Sequence, residues 1–323
     1  MAKAIRYNTF GPPDVLRWEA VDVGSPGPGE VRVRHEAVGL NFADTYFRSG
    51  LYPAELPAGM GVEAAGIIVA VGADVPFSEG DRVTYTGSPL GAYSTERVMP
   101  AESLIKLPEG IAFETAAAMT MRGLTAAYLL KRIYPVKPGD TVLLHAAAGG
   151  VGLIFLQWAR LLGVNVIGTV STEEKAEVAR AHGCTETIVY TREDVPKRVR
   201  ELTGGAGVPV VYDSVGEKTH RWSLDSLGRR GLLVCFGTSS GRIPPIDAMD
   251  LVTKGSLFVT RPALADYIAD RSERAALAGE LFDHVESGRI KIEINQRYLL
   301  EDAVQAHRDL ESGRSVGSSV FCL

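Results

Sequence analysis

The chain has 323 residues, 46% of them apolar and 7% aromatic, with a formal net charge of −5. A length of this order exceeds what one hydrophobic core usually supports, so two domains are expected. The mild acidity argues against a broad basic surface for nucleic acid, and no apolar run approaches the ~18 residues of a membrane-spanning helix.

In chain order, the opening "MAKAIRYNTF" lacks an apolar core, so no secretory signal is expected. Residues 1 to about 120 are rich in Gly, Pro and Val. The runs "AIRYN", "EVRVRHEAVGL", "AAGIIVAVG" and "DRVTYT" have strand character and are separated by "GPPD", "SPGPGE" and "PFSEGD", which are turn chemistry. A mostly antiparallel β domain follows from this texture. The stretch 113–133, "FETAAAMTMRGLTAAYLLKRI", is helical in composition. Strands and helices then alternate: "TVLLHA", a helix at 150–162, "NVIGTV", a helix at 172–182, "ETIVY", a helix at 194–203, "VPVVYDSV", a helical 217–228, and "GLLVCFG". That order predicts an α/β unit with a parallel, doubly wound sheet. Helices at 264–288, the run "IKIEINQRYLL", a helix at 301–312 and a last strand "SSVFCL" complete the chain, and this segment is expected to return to the first domain.

The cysteines Cys184, Cys235 and Cys322 are odd in number and lack CxxC spacing. They are expected to be inert packing or surface thiols in a reduced, cytoplasmic setting.

Residues 145–152 read "HAAAGGVG", between the apolar "TVLL" and the helix pattern "LIFLQWARLLG". Stripping side chains from a strand-to-helix turn lets a ligand approach the backbone. The pattern Ala147-x-Gly149-x-x-Gly152 has the context a dinucleotide loop needs, with a strand before it, a helix after it and a strand following. The amides around Gly149, Gly150, Val151 and Gly152 and the positive end of the helix suit a pyrophosphate. His145, beside this loop, reads as a strand-end packing residue.

The end of the second strand decides the cofactor. A ribose 2′-hydroxyl is usually met there by Asp or Glu. Here the tip reads "GTVSTEEK", with Ser171 in place of a carboxylate and Lys175 one helical turn later, on the same face. Glu173 and Glu174 fit a helix start, where acids favour the dipole. A hydroxyl and a cation suit a 2′-phosphate, so NADPH is predicted over NADH.

These stretches together resemble the zinc-free quinone oxidoreductases of the medium-chain dehydrogenase/reductase superfamily, the group that includes zeta-crystallin and the bacterial NADPH:quinone oxidoreductases. The resemblance rests on "GLNFADTYFRSGLYP" (39–53), "GVEAAGIIVAVG" (61–72), "GDRVTY" (80–85), "GAYS" (91–94), "HAAAGGVG", "VVYDSVG" (210–216) and "GSLFVTRP" (255–262), and it spans essentially the whole chain. It implies a GroES-like domain over 1–122, a Rossmann domain over 123–260 and a return segment over 261–323. It implies that Asn41, Asp44, Tyr46 and Tyr52 surround the nicotinamide and form the catalytic set, with Asn41 and Tyr46 also on the cofactor. It further implies cofactor contacts from Thr125, Tyr190 and Ser214. After the fifth strand, Phe236, Thr238 and Ser239 join them, as do Phe258 and Thr260 near the carboxamide, and Arg314 is a second cation for the 2′-phosphate.

Zinc-dependent relatives place a cysteine near the position of Asn41 and a histidine in a Gly-His-Glu triplet. Here the triplet is Gly61-Val62-Glu63, and no cysteine precedes Cys184. The six histidines show no paired spacing, so no metal is expected. An electron-poor quinone needs positioning and neutralisation of a developing oxyanion more than it needs a metal. Two other readings use the same fold: an NADPH-dependent reductase of alkenal or enone double bonds, and an NADPH-binding structural or RNA-binding protein of zeta-crystallin type, which the acidic balance weakens. A homodimer is expected through an edge strand such as "GLLVCFG" or "SLFVTRP".

Overall fold

The computed structural model describes residues 1–87 and 89–323. They divide into two units, Met1–Leu124 with Arg271–Leu323, and Thr125–Asp270.

In the first unit, β1 (Ala2–Tyr7) pairs antiparallel with β2 (Arg17–Val21). The alternation of "EVRVRHEAVGL" becomes β3 (Glu30–Leu40), in which Val31 and Val33 are buried while Arg32 and Arg34 reach out to Glu96 and Glu36. Helix α1 (Phe42–Ser49) follows directly, and Gly50 ends it in the left-handed conformation at φ 78°. The short β4 (Ala58–Gly59) joins β1. Strands β5 (Glu63–Val71), β6 (Arg82–Thr86), β7 (Glu96–Pro100) and β8 (Ile105–Lys106) extend β3 as antiparallel partners. Helix α2 (Phe113–Tyr128) carries the chain into the second unit and closes in a π-helical turn, Leu129–Ile133.

The second unit is built by strict alternation. Its elements are β9 (Thr141–Leu144), α3 (Gly150–Leu161), β10 (Asn165–Val170), α4 (Glu173–Ala181), β11 (Glu186–Val189), α5 (Val195–Leu202), β12 (Val208–Asp213), α6 (His220–Ser226), β13 (Leu227–Cys235), α7 (Ala248–Thr253), β14 (Phe258–Thr260) and α8 (Leu264–Tyr267). All strands are parallel, in the order β11-β10-β9-β12-β13-β14. The order reverses between β9 and β12, the switch point where such sheets bind ligands at the strand C-termini. Helix α3 is buried almost all round, from Leu153 to Ala159, which explains its continuous apolar run.

The return segment supplies α9 (Arg271–Glu286), β15 (Ile294–Leu299), α10 (Ala303–Glu311) and β16 (Ser318–Cys322). Strand β16 pairs antiparallel with β3, and Phe321 packs 4.7 Å from the Tyr93 ring in the core of the first unit.

Three details differ from the sequence reading. The first unit resumes at Arg271 and not at 261, since 261–270, with the short helix α8, group with the second unit. The helix expected over 217–228 is only His220–Ser226, because the amides of Val215 and Gly216 turn back onto the Asp213 carboxylate. "GLLVCFG" is no edge: β13 is flanked by β12 and β14, and β14 alone forms that border.

Candidate active site

In the first unit, Asn41 is the N-cap of α1. Its backbone amide donates to Asp44 Oδ2 (2.7 Å), and the Asp44 amide donates to the Asn41 carbonyl (3.0 Å). The Asn41 side-chain amide donates to Glu63 Oε2 (2.8 Å). Glu63 Oε1 accepts from the Met121 amide (2.6 Å), and the Arg122 guanidinium stands 3.6 Å from Glu63 Oε2. A Cβ on Gly39 would lie 2.3 Å from Glu63 Oε2 and 2.4 Å from the Ala117 carbonyl, so only glycine admits this approach.

Asp44 is fully buried, so it acts on Asn41 and not on a ligand directly. From it a polar chain runs outward. Arginine only donates, so Arg48 Nη1 donates to His307 Nδ1 (2.8 Å). The proton of His307 is therefore on Nε2, which donates to Tyr93 Oη (3.2 Å), and Tyr93 donates to Asp44 Oδ2 (2.9 Å). Arg48 also pairs with Glu311 (2.6 Å). Burial, with Arg48 alongside, pushes His307 down to about 3 and holds it neutral. The guanidinium thus ends the chain as a fixed charge, and the chain holds Asn41 in place without conducting protons. Burial pushes both Asp44 and Glu63 up to about 7, against the pull of Arg122 and of the groups that donate to each carboxyl. Tyr46, buried, and Tyr52 pack edge to face, with ring centroids 5.2 Å apart. Tyr46 and Tyr52 are therefore neighbours, and Asn41 caps the helix that carries Tyr46. Arg314, also in this unit, stands after α10 with its Nε on Ser312 Oγ (3.2 Å).

In the second unit, the turn from β9 to α3 is made of Ala146, Ala147, Ala148 and Gly149. Ala146 has φ 55°, a left-handed conformation that alanine rarely adopts. Gly149 is the N-cap of the twelve-residue α3, and no side chain caps it. The first amides of α3 thus present the positive helix end to an anion. A Cβ on Gly152 would strike the Ala147 carbonyl at 2.4 Å, which fixes glycine at this packing position.

Ser171 is not on the α4 face assumed from the sequence. Thr172 is the N-cap and accepts from the Lys175 amide (3.3 Å), so Ser171 precedes the helix and Lys175 lies in its first turn. A cation there opposes the helix dipole. The adjacent Glu173 is already paired with Arg180 (2.6 Å) and Arg192 (2.7 Å). Tyr190 directly follows β11 beside this tip: its amide donates to the Val170 carbonyl (3.1 Å), and the Thr191 hydroxyl donates to the Ser171 carbonyl (3.0 Å). Ser214, Phe236, Thr238 and Ser239 meet beyond β12 and β13, where the Ser239 amide donates to the Ser214 carbonyl (3.2 Å). Thr260 ends β14 opposite Val234, whereas Phe258 stands two residues back on the sheet edge. Thr125 is buried in α2.

Sequence reasoning missed the partners Arg48, Tyr93, Arg122 and His307, and weighed Glu63 only as a zinc ligand. Among the described residues, no three of His, Cys, Asp and Glu converge as a metal site requires. Burial pushes the thiols of Cys184 and Cys235 up to about 12, so both are poor nucleophiles.

A family model described as an alcohol dehydrogenase GroES-like domain matches residues 27–109, and one described as a zinc-binding dehydrogenase matches residues 150–270. The chain is 53% identical over 323 residues to a quinone oxidoreductase of Pseudomonas aeruginosa, covering 99% of both. It is 48% identical over 329 residues to a 2-haloacrylate reductase of a Burkholderia species, again covering 99% of both. The crystal structure of Escherichia coli quinone oxidoreductase complexed with NADPH superimposes with a TM-score of 0.98 at 47% identity, over 99% of this chain and 100% of that one. The zinc of the second description does not fit here. Asn41 and Val62 offer no thiolate or imidazole, and the Glu63 carboxylate is already engaged by Asn41, Met121 and Arg122.

Proposed function

The chain belongs to the quinone oxidoreductase family of the medium-chain dehydrogenase/reductase superfamily, and we infer that it is an NADPH-dependent quinone reductase that works without a metal. The observation that carries this reading is the combination, within one parallel sheet, of an anion-receptive turn before α3 and a lysine in the first turn of α4. NADPH, when bound, supplies the hydride. The amides at the start of α3 would hold the pyrophosphate, and Ser171 and Lys175 the 2′-phosphate. Ser214, Phe236, Thr238 and Ser239, at the strand ends, would line the path toward the nicotinamide. In the first unit, Asn41 and Tyr46 would orient the acceptor by hydrogen bonding, Tyr52 would pack beside them, and Asp44 would hold Asn41. A quinone then draws its remaining proton from water. The test is NADPH oxidation with a quinone acceptor.

A second reading is favoured by the 48% identical 2-haloacrylate reductase: the acceptor is an electron-poor carbon–carbon double bond. The residues would act identically, and an enone run beside the quinone separates the two by relative kcat/KM. We place the protein in the reducing cytoplasm, where thiols such as Cys184 and Cys235 stay reduced.

We propose that a homodimer forms through β14. This strand pairs with β13 on one side only, and Phe258 is 60% exposed, with Val259, Met249 and Val252 also outward. An open strand edge with apolar side chains favours pairing with a second copy across a two-fold axis. Wild type is expected to run at twice the chain mass by light scattering at micromolar concentration, and Val259→Lys to shift it to the monomer. A monomeric wild type would contradict the dimer.

A further inference from the structure

We propose that His145 is a positioning residue for the dinucleotide, tying the β9–α3 turn to β10 and α6 so that cofactor affinity depends on it. The inference rests on the reading of that turn as the NADPH site.

The four residues after His145 carry no side chain larger than methyl, so they have little with which to grip the sheet. The turn nevertheless holds Ala146 at φ 55°, a conformation that persists only where surrounding contacts fix it. Main-chain bonds secure its ends: the His145 amide donates to the Tyr212 carbonyl (3.0 Å) and the Ala147 amide to the Thr169 carbonyl (3.1 Å). The remaining grip comes from the imidazole, which is 1% exposed and so cannot itself contact a ligand.

Its proton position follows from its partners. Asp213 accepts from the hydroxyls of Ser223 (2.7 Å) and Thr219 (2.8 and 2.7 Å) and from the Val215 (2.8 Å) and Gly216 (3.0 Å) amides. Because Ser223 gives its proton to Asp213, its oxygen accepts from His145 Nε2 (3.0 Å). Nδ1 is then bare and accepts from the Thr169 hydroxyl (2.9 Å). Burial lowers the imidazole's proton affinity and keeps it in this neutral form. The directed chain Thr169, His145, Ser223, Asp213 spans the C-terminal ends of β10, β9 and β12 and the body of α6. These are the ends that carry Ser171, the turn and Ser214.

The experiment compares wild type, His145→Ala, His145→Gln and Ser223→Ala by NADPH titration and quinone turnover. His145→Ala is expected to raise the Kd and KM for NADPH together by at least about tenfold, with kcat at saturating NADPH within about twofold. Ser223→Ala should shift the same two quantities by a smaller factor. His145→Gln, which keeps a donor toward Ser223, should recover most of the affinity. If His145→Ala fails to fold, Ser223→Ala and Thr169→Val, each removing one partner, decide the matter by the same KM shift at constant kcat. NADPH affinity unchanged in folded variants, or kcat falling while affinity holds, would overturn the role of His145. A wild type that does not bind NADPH would instead overturn the reading of the turn itself.

Discussion

Lys175→Ala is expected to weaken NADPH binding by roughly ten- to a hundredfold and to leave NADH binding nearly unchanged. The lysine stands in the first turn of α4, where the helix dipole disfavours a cation, and burial lowers its proton affinity further. In the proposed site a 2′-phosphate beside this turn would meet the lysine charge and the positive helix end together. A charge-assisted bond to a phosphate contributes about 1.5–3 kcal/mol, and each 1.4 kcal/mol is about tenfold in binding. NADH lacks the phosphate and so loses nothing. The fold should not suffer, since alanine is the better helix former at this position. Paired titrations with the two cofactors on both proteins measure the effect. Equal weakening of both would make Lys175 a structural residue.

Replacing Glu63 by alanine is expected to cost about 3–5 kcal/mol of stability, because it leaves the Arg122 guanidinium buried without its nearest counter-charge. It also strips the partners of the Asn41 side chain and the Met121 amide. Glu63→Gln should cost less, about 1–3 kcal/mol, since one acceptor is retained. The pH dependence separates charge from packing. Folding raises Glu63 from its ordinary 4.5 to about 7. A group raised in the folded state contributes stability that is complete below its unfolded value and is lost as pH climbs through the folded one. The wild type should therefore lose stability between about pH 4.5 and 7, with Asp44 adding to the same slope. The penalty of Glu63→Gln should shrink from pH 5 to pH 8, because the amide has no proton to lose. Denaturant midpoints at the two pH values provide the test, and a penalty that grows with pH would contradict it.

Much of this architecture was legible because it is written locally. Strand-type runs bounded by turn residues located β3 and β6, and the side-chain-poor run at 146–149 between an apolar strand and an apolar helix located the turn proposed to receive the pyrophosphate. Lys175 was legible as a departure from the acidic residue expected at a second strand tip. Its relation to Ser171 was misread because Thr172, as N-cap, starts the helix one residue later than a shared face would need. The network behind Asn41 was not legible, since Arg48 and His307 are 259 positions apart and no local pattern joins them. His145 was read as packing because the acceptor roles of Ser223 and Asp213 emerge only when β9, β12 and α6 are assembled. Of the two edge candidates, "GLLVCFG" and "SLFVTRP", only the second holds the border strand β14, because strand order along the sheet is set by pairing across sequence-distant segments and not by local pattern.

The central claim is metal-independent quinone reduction by NADPH. Its most direct measurement is steady-state oxidation of NADPH and of NADH by a quinone, with protein dialysed exhaustively against a chelator. The expected result is full activity after chelation, no stoichiometric zinc in the protein, and a kcat/KM at least about tenfold higher with NADPH than with NADH. Activity abolished by chelation and restored by zinc, a preference for NADH, or no turnover with any quinone would contradict it.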